Sequence, residues 1–167
     1  MFCKTYASPI GELIIASDGE NLTGLWIKGQ KYFPTAELEL KDELPIFARV
    51  RDWLDRYFAG EKPDCSELPL SPAGSEFRQA VWKLLREIPY GQTVTYGELA
   101  KKAALLLGKE RMSAQAVGGA VGHNPISIIV PCHRVVGTDG SLTGYAGGIG
   151  IKARLLKHEG ADIKELK

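Results

Sequence analysis

Cys132 and His133 are adjacent in the segment PCHRV, residues 131–135. The thiolate form of cysteine is a strong nucleophile, and a neighbouring base can take the proton from the thiol. The segment follows an apolar run, residues 126–130, whose composition predicts burial. An intracellular cysteine next to such a run is also a common small core residue. The segment alone therefore leaves a reactive role and a packing role for Cys132 equally open.

The composition is that of an ordinary globular protein, with 167 residues and a net charge of +1. No apolar stretch approaches the ~20 residues of a membrane span, and the N-terminus lacks the apolar core of a signal peptide. Three cysteines without a CxxC pair predict a reducing compartment and a cytoplasmic location. The three histidines all lie after residue 122, so we expect no metal site in the first half.

Charge is divided unevenly along the chain. Residues 1–72 carry 8 Lys and Arg against 12 Asp and Glu, whereas residues 73–167 carry 13 against 8. A basic second half is consistent with nucleic-acid contact. The excess is modest, and a surface without that function would explain it almost as well.

The first half predicts a small antiparallel sheet followed by a helix. Segments 2–7, 12–17 and 22–27 alternate with the period of a strand and are separated by turn residues. Apolar residues at helical spacing follow over 46–58, and a glycine stands where the C-cap is expected. Segment 62–72 holds three prolines and predicts a linker, which places a domain boundary near residue 72.

The second half predicts a series of helices. Ser75, Thr95 and Ser113 are expected N-caps of three of them, and a last helix is expected over 151–158. The third helix, 114–122, consists of very small residues. Such a helix after a turn is typical of a helix-turn-helix unit that approaches DNA closely, or of tight packing between helices. The pattern alone does not separate these two interpretations.

Six motifs across residues 75–160 resemble, in order and spacing, the O6-alkylguanine-DNA alkyltransferases (methylated-DNA–protein-cysteine methyltransferases). The motifs are TYG at 95–97, AVGGA at 116–120, HNP at 123–125, PCHRV at 131–135, GYAGG at 144–148 and HEG at 158–160. The resemblance implies an α/β (α+β) fold. Residues 1–72 would form a ribonuclease-H-like domain with a small antiparallel sheet and a helix. Residues 73–167 would form a helical, winged helix-turn-helix-like domain that carries the reactive cysteine.

The resemblance also implies an activity, the repair of DNA by direct reversal. The protein would flip O6-alkylguanine out of double-stranded DNA and transfer the alkyl group irreversibly to Cys132, with O4-alkylthymine as a second candidate substrate. This methylated-DNA–[protein]-cysteine S-methyltransferase would act once per molecule, as a monomer, without a cofactor, a metal or a membrane. One alternative is a lesion-sensing DNA-binding protein that does not repair, although such proteins lack the cysteine of this motif. Another is a Cys–His enzyme that acts on a small substrate.

Five catalytic residues follow from the resemblance. His133 would take the proton of the Cys132 thiol through a water, and Glu159 would orient the imidazole. Tyr96 would donate a proton to the leaving base, and Asn124 would hold the turn beside the thiol. Without the family, Glu159 would be an exposed carboxylate at a helix end and Tyr96 a packing residue.

A second set of residues would bind DNA or the flipped base. These residues are Tyr96, Ser113, Gln115, Ala116, Gly118, Val135, Tyr145, Ala146 and Gly147. The chain departs from the family at Gln115, where an arginine that fills the gap in the duplex is common. The connection between Tyr96 and Gln115 is also longer than expected. It predicts a longer first helix or a reshaped turn.

Overall fold

The structure, a computed structural model, describes residues 1–34 and 37–163. Its N-terminal part is a sheet of four strands in the order β3-β2-β1-β4. The strands are β1 (Phe2–Ser8), β2 (Gly11–Ser17), β3 (Leu22–Ile27) and β4 (Glu39–Leu40). The first three pair antiparallel, which confirms the predicted sheet, whereas the short β4 pairs parallel with β1 and was not predicted.

Helix α1 (Pro45–Phe58) packs against β1 and β2. Proline at the first helical position fixes a helical φ where no intrahelical donor is needed. The helix ends before Gly60, whose φ of 91° is a conformation that favours glycine. The predicted apolar stripe faces the core: Ile46, Val50, Trp53, Leu54 and Tyr57 are all buried.

Segment 62–72 is not the free linker that was predicted. It contains a short 3₁₀ helix (Cys65–Glu67), and its end pairs with β3. The Leu22 N–H donates to the Pro69 carbonyl and the Ser71 N–H to the Leu22 carbonyl, both at 2.8 Å. Hydrogen bonds between backbone groups have no signature in a proline-rich sequence, which is why the pattern missed them. The boundary near residue 72 stays a prediction.

Between residue 73 and residue 163 lie the α-helices α2 (Glu76–Leu85), α3 (Tyr96–Leu106), α4 (Ala114–Gly122) and α5 (Ile149–His158). The predicted N-caps are confirmed, because the hydroxyls of Ser75, Thr95 and Ser113 each accept a hydrogen bond from the backbone N–H three residues later. Helices α2, α3 and α4 contact one another. No helix of the described residues is long and apolar enough to cross a membrane.

A parallel pair of two-residue strands links the start of α3 to the segment that carries Cys132. Strand β5 (Val94–Thr95) pairs with β6 (Val135–Val136). Strands of this length are too short to show a period, so the sequence did not predict them. Their pairing brings the beginning of α3 next to the cysteine segment.

The extra residues between α3 and α4 form a reshaped connection, and α3 is not extended through them. The helix ends at Leu106, and Gly108 has a φ of 67°. Leu105 and Leu106 are 81% and 47% exposed.

Candidate active site and nucleic-acid interface

Cys132 begins a second 3₁₀ helix (Cys132–Arg134), directly after the apolar run 126–130. Every residue of that run is buried, as predicted, and Cys132 itself is 6% exposed. Burial raises the pKa of the Cys132 thiol, while Asn124 and Lys152 act in the opposite direction. A thiol with a raised pKa is protonated at neutral pH, so a nucleophilic role requires a base beside it.

The backbone that leads to Cys132 is tightly turned. The Ile129 N–H donates to the Ser127 carbonyl at 2.8 Å, which closes a three-residue turn around Ile128. Ile128 has a φ of 72°, a conformation that β-branched residues rarely adopt. Such strain persists only where neighbouring contacts hold it, and it is common at functional sites.

Asn124 holds the two ends of this turn together. Its side-chain nitrogen donates to the carbonyls of Ile126 at 3.3 Å and Val130 at 2.8 Å, and its side-chain oxygen accepts from the Ile126 N–H at 3.0 Å. It also hydrogen-bonds to the Cys132 thiol in a way that lowers the thiol pKa. The structure thus places Asn124 at the thiol, where the sequence analysis expected it.

Glu159 is the centre of a buried hydrogen-bond network at the end of α5. Its carboxylate accepts from His133 Nε2 at 2.6 Å, Arg134 Nε at 2.8 Å, the Tyr57 hydroxyl at 2.6 Å and the Gly91 N–H at 3.1 Å. The side chain is 0% exposed, which excludes the alternative of a solvated carboxylate. Arg134 also donates to the Ile88 carbonyl at 2.7 Å, so its guanidinium is committed inside the protein.

Tyr57 was not predicted as part of this site. It belongs to α1 in the first half of the chain, 102 residues before Glu159. From the sequence, Tyr57 was expected only to be one of the apolar residues on the buried face of α1. The one signal available was chemical, because a buried phenol usually finds a hydrogen-bond partner.

The charge state of this network prepares His133 to accept a proton. Burial lowers the pKa of His133, although Glu159 opposes that shift. Burial alone would raise the pKa of Glu159, but the hydrogen bonds from His133 and Arg134 outweigh it and hold the pKa below its usual range. A neutral imidazole that donates from Nε2 leaves Nδ1 as the acceptor, and Nδ1 is buried without a partner among the described residues.

Tyr96 is the first residue of α3, and its hydroxyl donates to the Thr143 carbonyl at 3.1 Å. Burial raises the pKa of Tyr96 to about 12. The hydroxyl therefore keeps its proton at neutral pH. A base that receives this proton has to displace the Thr143 carbonyl as the acceptor.

Lys152 is a buried cation that the sequence analysis missed. Its Nζ donates to the Thr143 carbonyl at 2.9 Å and the Gly144 carbonyl at 3.3 Å, so it holds the same loop as Tyr96. Burial lowers the pKa of Lys152 to about 8, and an ionised Cys132 opposes this shift. Lys152 lies seven residues before Glu159, about two helical turns, so the sequence could have placed both on one face of the last helix.

A cavity of about 190 Å³ opens beside Tyr96. It is lined by Lys31, Tyr32, Tyr96, Gly118, Gly122, Gly144, Tyr145 and Ala146. Four predicted substrate residues, Tyr96, Gly118, Tyr145 and Ala146, thus meet at one place. A Cβ atom at Gly118 would lie 3.8 Å from the Tyr96 ring, so glycine keeps this part of the cavity open.

The other predicted binding residues lie outside this cavity. Ser113, Gln115 and Ala116 are exposed at the N-terminus of α4. Val135 is buried in β6, and its N–H donates to the Cys132 carbonyl. At Gly147, a Cβ atom would come within 2.5 Å of the Ile27 side chain, so glycine allows this loop to pack against β3.

Three other cavities are larger and contain none of the predicted site residues. One of about 290 Å³ lies beside Arg134 and the half-buried Cys65. A second, about 380 Å³, lies beside Arg56. The third, about 550 Å³, follows the connection between α3 and α4 and is lined by Leu105 and Met112. No histidine lines any of the three.

Comparison with known proteins gives a consistent result for nearly the whole chain. Residues 1–72 match the model of the 6-O-methylguanine DNA methyltransferase ribonuclease-like domain, and residues 76–161 match the model of the DNA binding domain of the same family. The chain is 48% identical to a methylated-DNA–protein-cysteine methyltransferase of Haemophilus influenzae, over 95% of this chain and 86% of that protein. For the protein of the same name from Methanosarcina acetivorans, identity is 44% over 96% and 99%.

A solved structure is similar over the same extent. It is Mycobacterium tuberculosis OGT in complex with DNA, with a TM-score of 0.82 and 43% identity, and it covers 95% of this chain and 92% of that one. The similarity therefore includes both the sheet-containing part and the helical part. It agrees with the mixed α/β fold expected from the sequence.

Proposed function

The chain belongs to the 6-O-methylguanine DNA methyltransferase family, and from this premise we propose that Cys132 is the residue that accepts the alkyl group. The protein repairs alkylated DNA by transfer of an alkyl group to its own cysteine. The observation that carries the assignment to Cys132 is the buried His133–Glu159 pair, with His133 in the next position along the chain. Cys3 lies in the sheet and Cys65 in the first 3₁₀ helix, and neither is next to a histidine in the chain.

The first step is removal of the thiol proton. The proton leaves Cys132 Sγ and moves to Nδ1 of His133, with one water as the carrier because adjacent side chains rarely hydrogen-bond directly. Glu159 accepts from Nε2 and stabilises the imidazolium that forms. Arg134 keeps Glu159 ionised, and Asn124 and Lys152 stabilise the thiolate.

The second step is a single displacement. The thiolate attacks the alkyl carbon on O6 of guanine, a carbon–sulfur bond forms, and the carbon–oxygen bond breaks with its electron pair left on the base. Tyr96 then supplies a proton to the base ring, so the departing guanine, which stays attached to the DNA strand, is neutral. The thioether that remains on Cys132 is not cleaved by any group of this site. Each molecule therefore reacts once.

The base reaches the site by rotation out of the duplex. Its place is the cavity beside Tyr96, under the loop that contains Tyr145 and Ala146. The N-terminus of α4, with Ser113, Gln115 and Ala116 exposed, faces the duplex, and its small residues allow close approach. Since the chemistry requires a reduced thiol, we place the protein in the cytoplasm.

The experiment is the reaction of the full chain with a duplex that contains one O6-methylguanine. We expect one methyl adduct per molecule by intact mass spectrometry, mapped to Cys132 by peptide analysis. Cys132→Ser abolishes the adduct, and the matched control Cys65→Ser retains it. Repair of more than one equivalent of O6-methylguanine per protein, or an adduct that persists in Cys132→Ser, contradicts the proposal.

A further inference from the structure

The segment that follows β3 reaches from the N-terminal sheet to the cavity beside Tyr96. The Lys31 N–H donates to the carbonyl of Ala146 at 3.0 Å. Lys31 and Tyr32 then form one side of the cavity, and both side chains are exposed. The six motifs of the sequence analysis do not include this segment. The cavity beside Tyr96 is therefore lined by residues from both halves of the chain.

Tyr32 is held in a fixed position although it is 58% exposed. Its ring stacks on the ring of His123, with centroids 3.9 Å apart and planes 28° from parallel. Its φ of 61° is rare for a residue with a side chain and persists only where neighbouring contacts hold it. A Cβ atom at Gly122 would already lie 4.0 Å from the Tyr32 ring. The ring is thus a rigid part of the cavity rim and not a freely moving surface side chain.

Lys31 places a positive charge at the same rim. No carboxylate of the described residues forms an ion pair with it, whereas Lys28 in the same segment pairs with Glu12 at 3.1 Å. When a base occupies the cavity, its sugar and phosphates stay at the rim, within the field of this charge.

We propose that Lys31 and Tyr32 are substrate-positioning residues that the N-terminal half contributes to the alkyl-transfer site. The Lys31 ammonium pairs with a DNA phosphate next to the flipped nucleotide. The Tyr32 ring, fixed by His123, forms the wall of the cavity against the flipped base. The assignment rests on the proposed function, because it takes the cavity as the place of the flipped base.

Lys31 is tested first by equilibrium binding, which does not depend on transfer. In a Cys132→Ser background, Lys31→Ala is expected to reduce the slope of log affinity against log salt concentration by about 1 for the lesion duplex. Lys28→Ala, the matched control, leaves the slope unchanged. Equal slopes for the Lys31→Ala variant and its parent overturn the role of Lys31.

The transfer rate gives the second readout for Lys31. With Cys132 present, Lys31→Ala is expected to slow transfer from the duplex by about threefold, the size of one exposed charge contact. Transfer from free O6-methylguanine base, which carries no phosphate, stays unchanged. A loss that is the same for both substrates overturns the phosphate contact and indicates a structural role for Lys31.

Tyr32 has a different expected signature, because the wall contacts the base itself. Tyr32→Ala is expected to slow transfer from the duplex and from free base by a similar factor, about fivefold, while Tyr32→Phe keeps the ring and stays within about twofold of the parent. The thermal unfolding midpoint of both variants is measured beside the rates. Unchanged rates in Tyr32→Ala, or a rate loss that follows a fall in the midpoint, overturn the assignment.

Failure of this inference is distinguishable from failure of the proposed function. If the parent protein forms no adduct on Cys132, the proposed function fails whatever the variants do. If the parent forms the adduct and the variants behave as their controls do, only the positioning role fails.

Discussion

At the scale of single residues, burial of the polar groups sets the protonation states of the site. Cys132, His133 and Glu159 are all buried, and burial acts on each pKa. It keeps the thiol protonated and the imidazole neutral, while Arg134 preserves the charge of the carboxylate. The reactive thiolate therefore exists only while the proton is transferred, which protects the cysteine from unrelated oxidants and electrophiles.

This burial predicts the acid side of the pH profile. In the proposed reaction the neutral form of His133 is the base. Its pKa is lowered from the ordinary 6.5, so the neutral form persists to lower pH. We expect the single-turnover rate constant to keep its neutral-pH value below pH 6.5 and to fall only at lower pH. Rapid-quench assays over roughly pH 5 to 9 measure it.

Binding of the lesion duplex to Cys132→Ser at each pH is the control, since it separates affinity from chemistry. An acid-side midpoint at or above 6.5 would contradict a neutral, buried imidazole as the base.

At the scale of elements, two short features position the reacting groups. The β5–β6 pair brings Tyr96 beside the cysteine segment, and the turn around Ile128 sets the direction in which Cys132 leaves the buried run. Helix α4 presents the exposed Gln115 near its capped N-terminus. Since glutamine carries no charge, we expect the affinity of this helix for DNA to depend on backbone contact and on the positive end of the helix dipole.

We therefore expect that a positive charge added near the N-terminus of α4 strengthens DNA binding. Gln115→Arg is expected to raise affinity for a lesion duplex by about threefold to tenfold at low salt, and to steepen its salt dependence. Fluorescence anisotropy at several salt concentrations measures both quantities. Gln92→Arg adds the same charge at an exposed position outside α4 and serves as the control. Equal effects of the two substitutions would show that only net charge matters.

At the scale of the whole molecule, the two halves of the chain are joined through the active site. The Tyr57 hydroxyl donates to Glu159, and the Tyr57 carbonyl is 2.7 Å from Nε2 of His158. The N-terminal half also contacts the rim of the cavity, where the Lys31 N–H donates to the Ala146 carbonyl. The N-terminal half therefore contacts both the His133–Glu159 pair and the rim of the cavity.

Loss of the Tyr57 hydroxyl is expected to weaken this connection without a change of shape. Tyr57→Phe leaves a buried carboxylate with one donor fewer, so the free energy of unfolding should fall by about 1–3 kcal/mol. Urea denaturation measures it. Tyr90→Phe is the matched control, because the Tyr90 hydroxyl is 3.5 Å from the His158 carbonyl and half-buried. Its expected loss is below about 1 kcal/mol, and an equal loss in both variants would contradict the special position of Tyr57.

Much of the local structure could be predicted because it depends on neighbours in sequence. Strand alternation located β1 to β3, and the hydroxyls of Ser75, Thr95 and Ser113 marked three helix starts. The motif set placed Cys132, His133 and Glu159 in one site from their order along the chain. The segment 62–72 was misjudged because its pairing with β3 has no local pattern.

The sequence by itself determined the reaction class, because a cysteine, a histidine and a glutamate stand in the motifs of one family. Only the tertiary structure decided which further groups serve that reaction. Tyr57 donates to Glu159, which lies 102 residues later in the chain. The ammonium group of Lys152 is buried and bonds to the Thr143 carbonyl. Lys31 and Tyr32, from the N-terminal half, line the cavity beside Tyr96. The physical reason is that periodicity and capping depend on contacts within a few residues, whereas burial and distant hydrogen bonds depend on how complete elements pack.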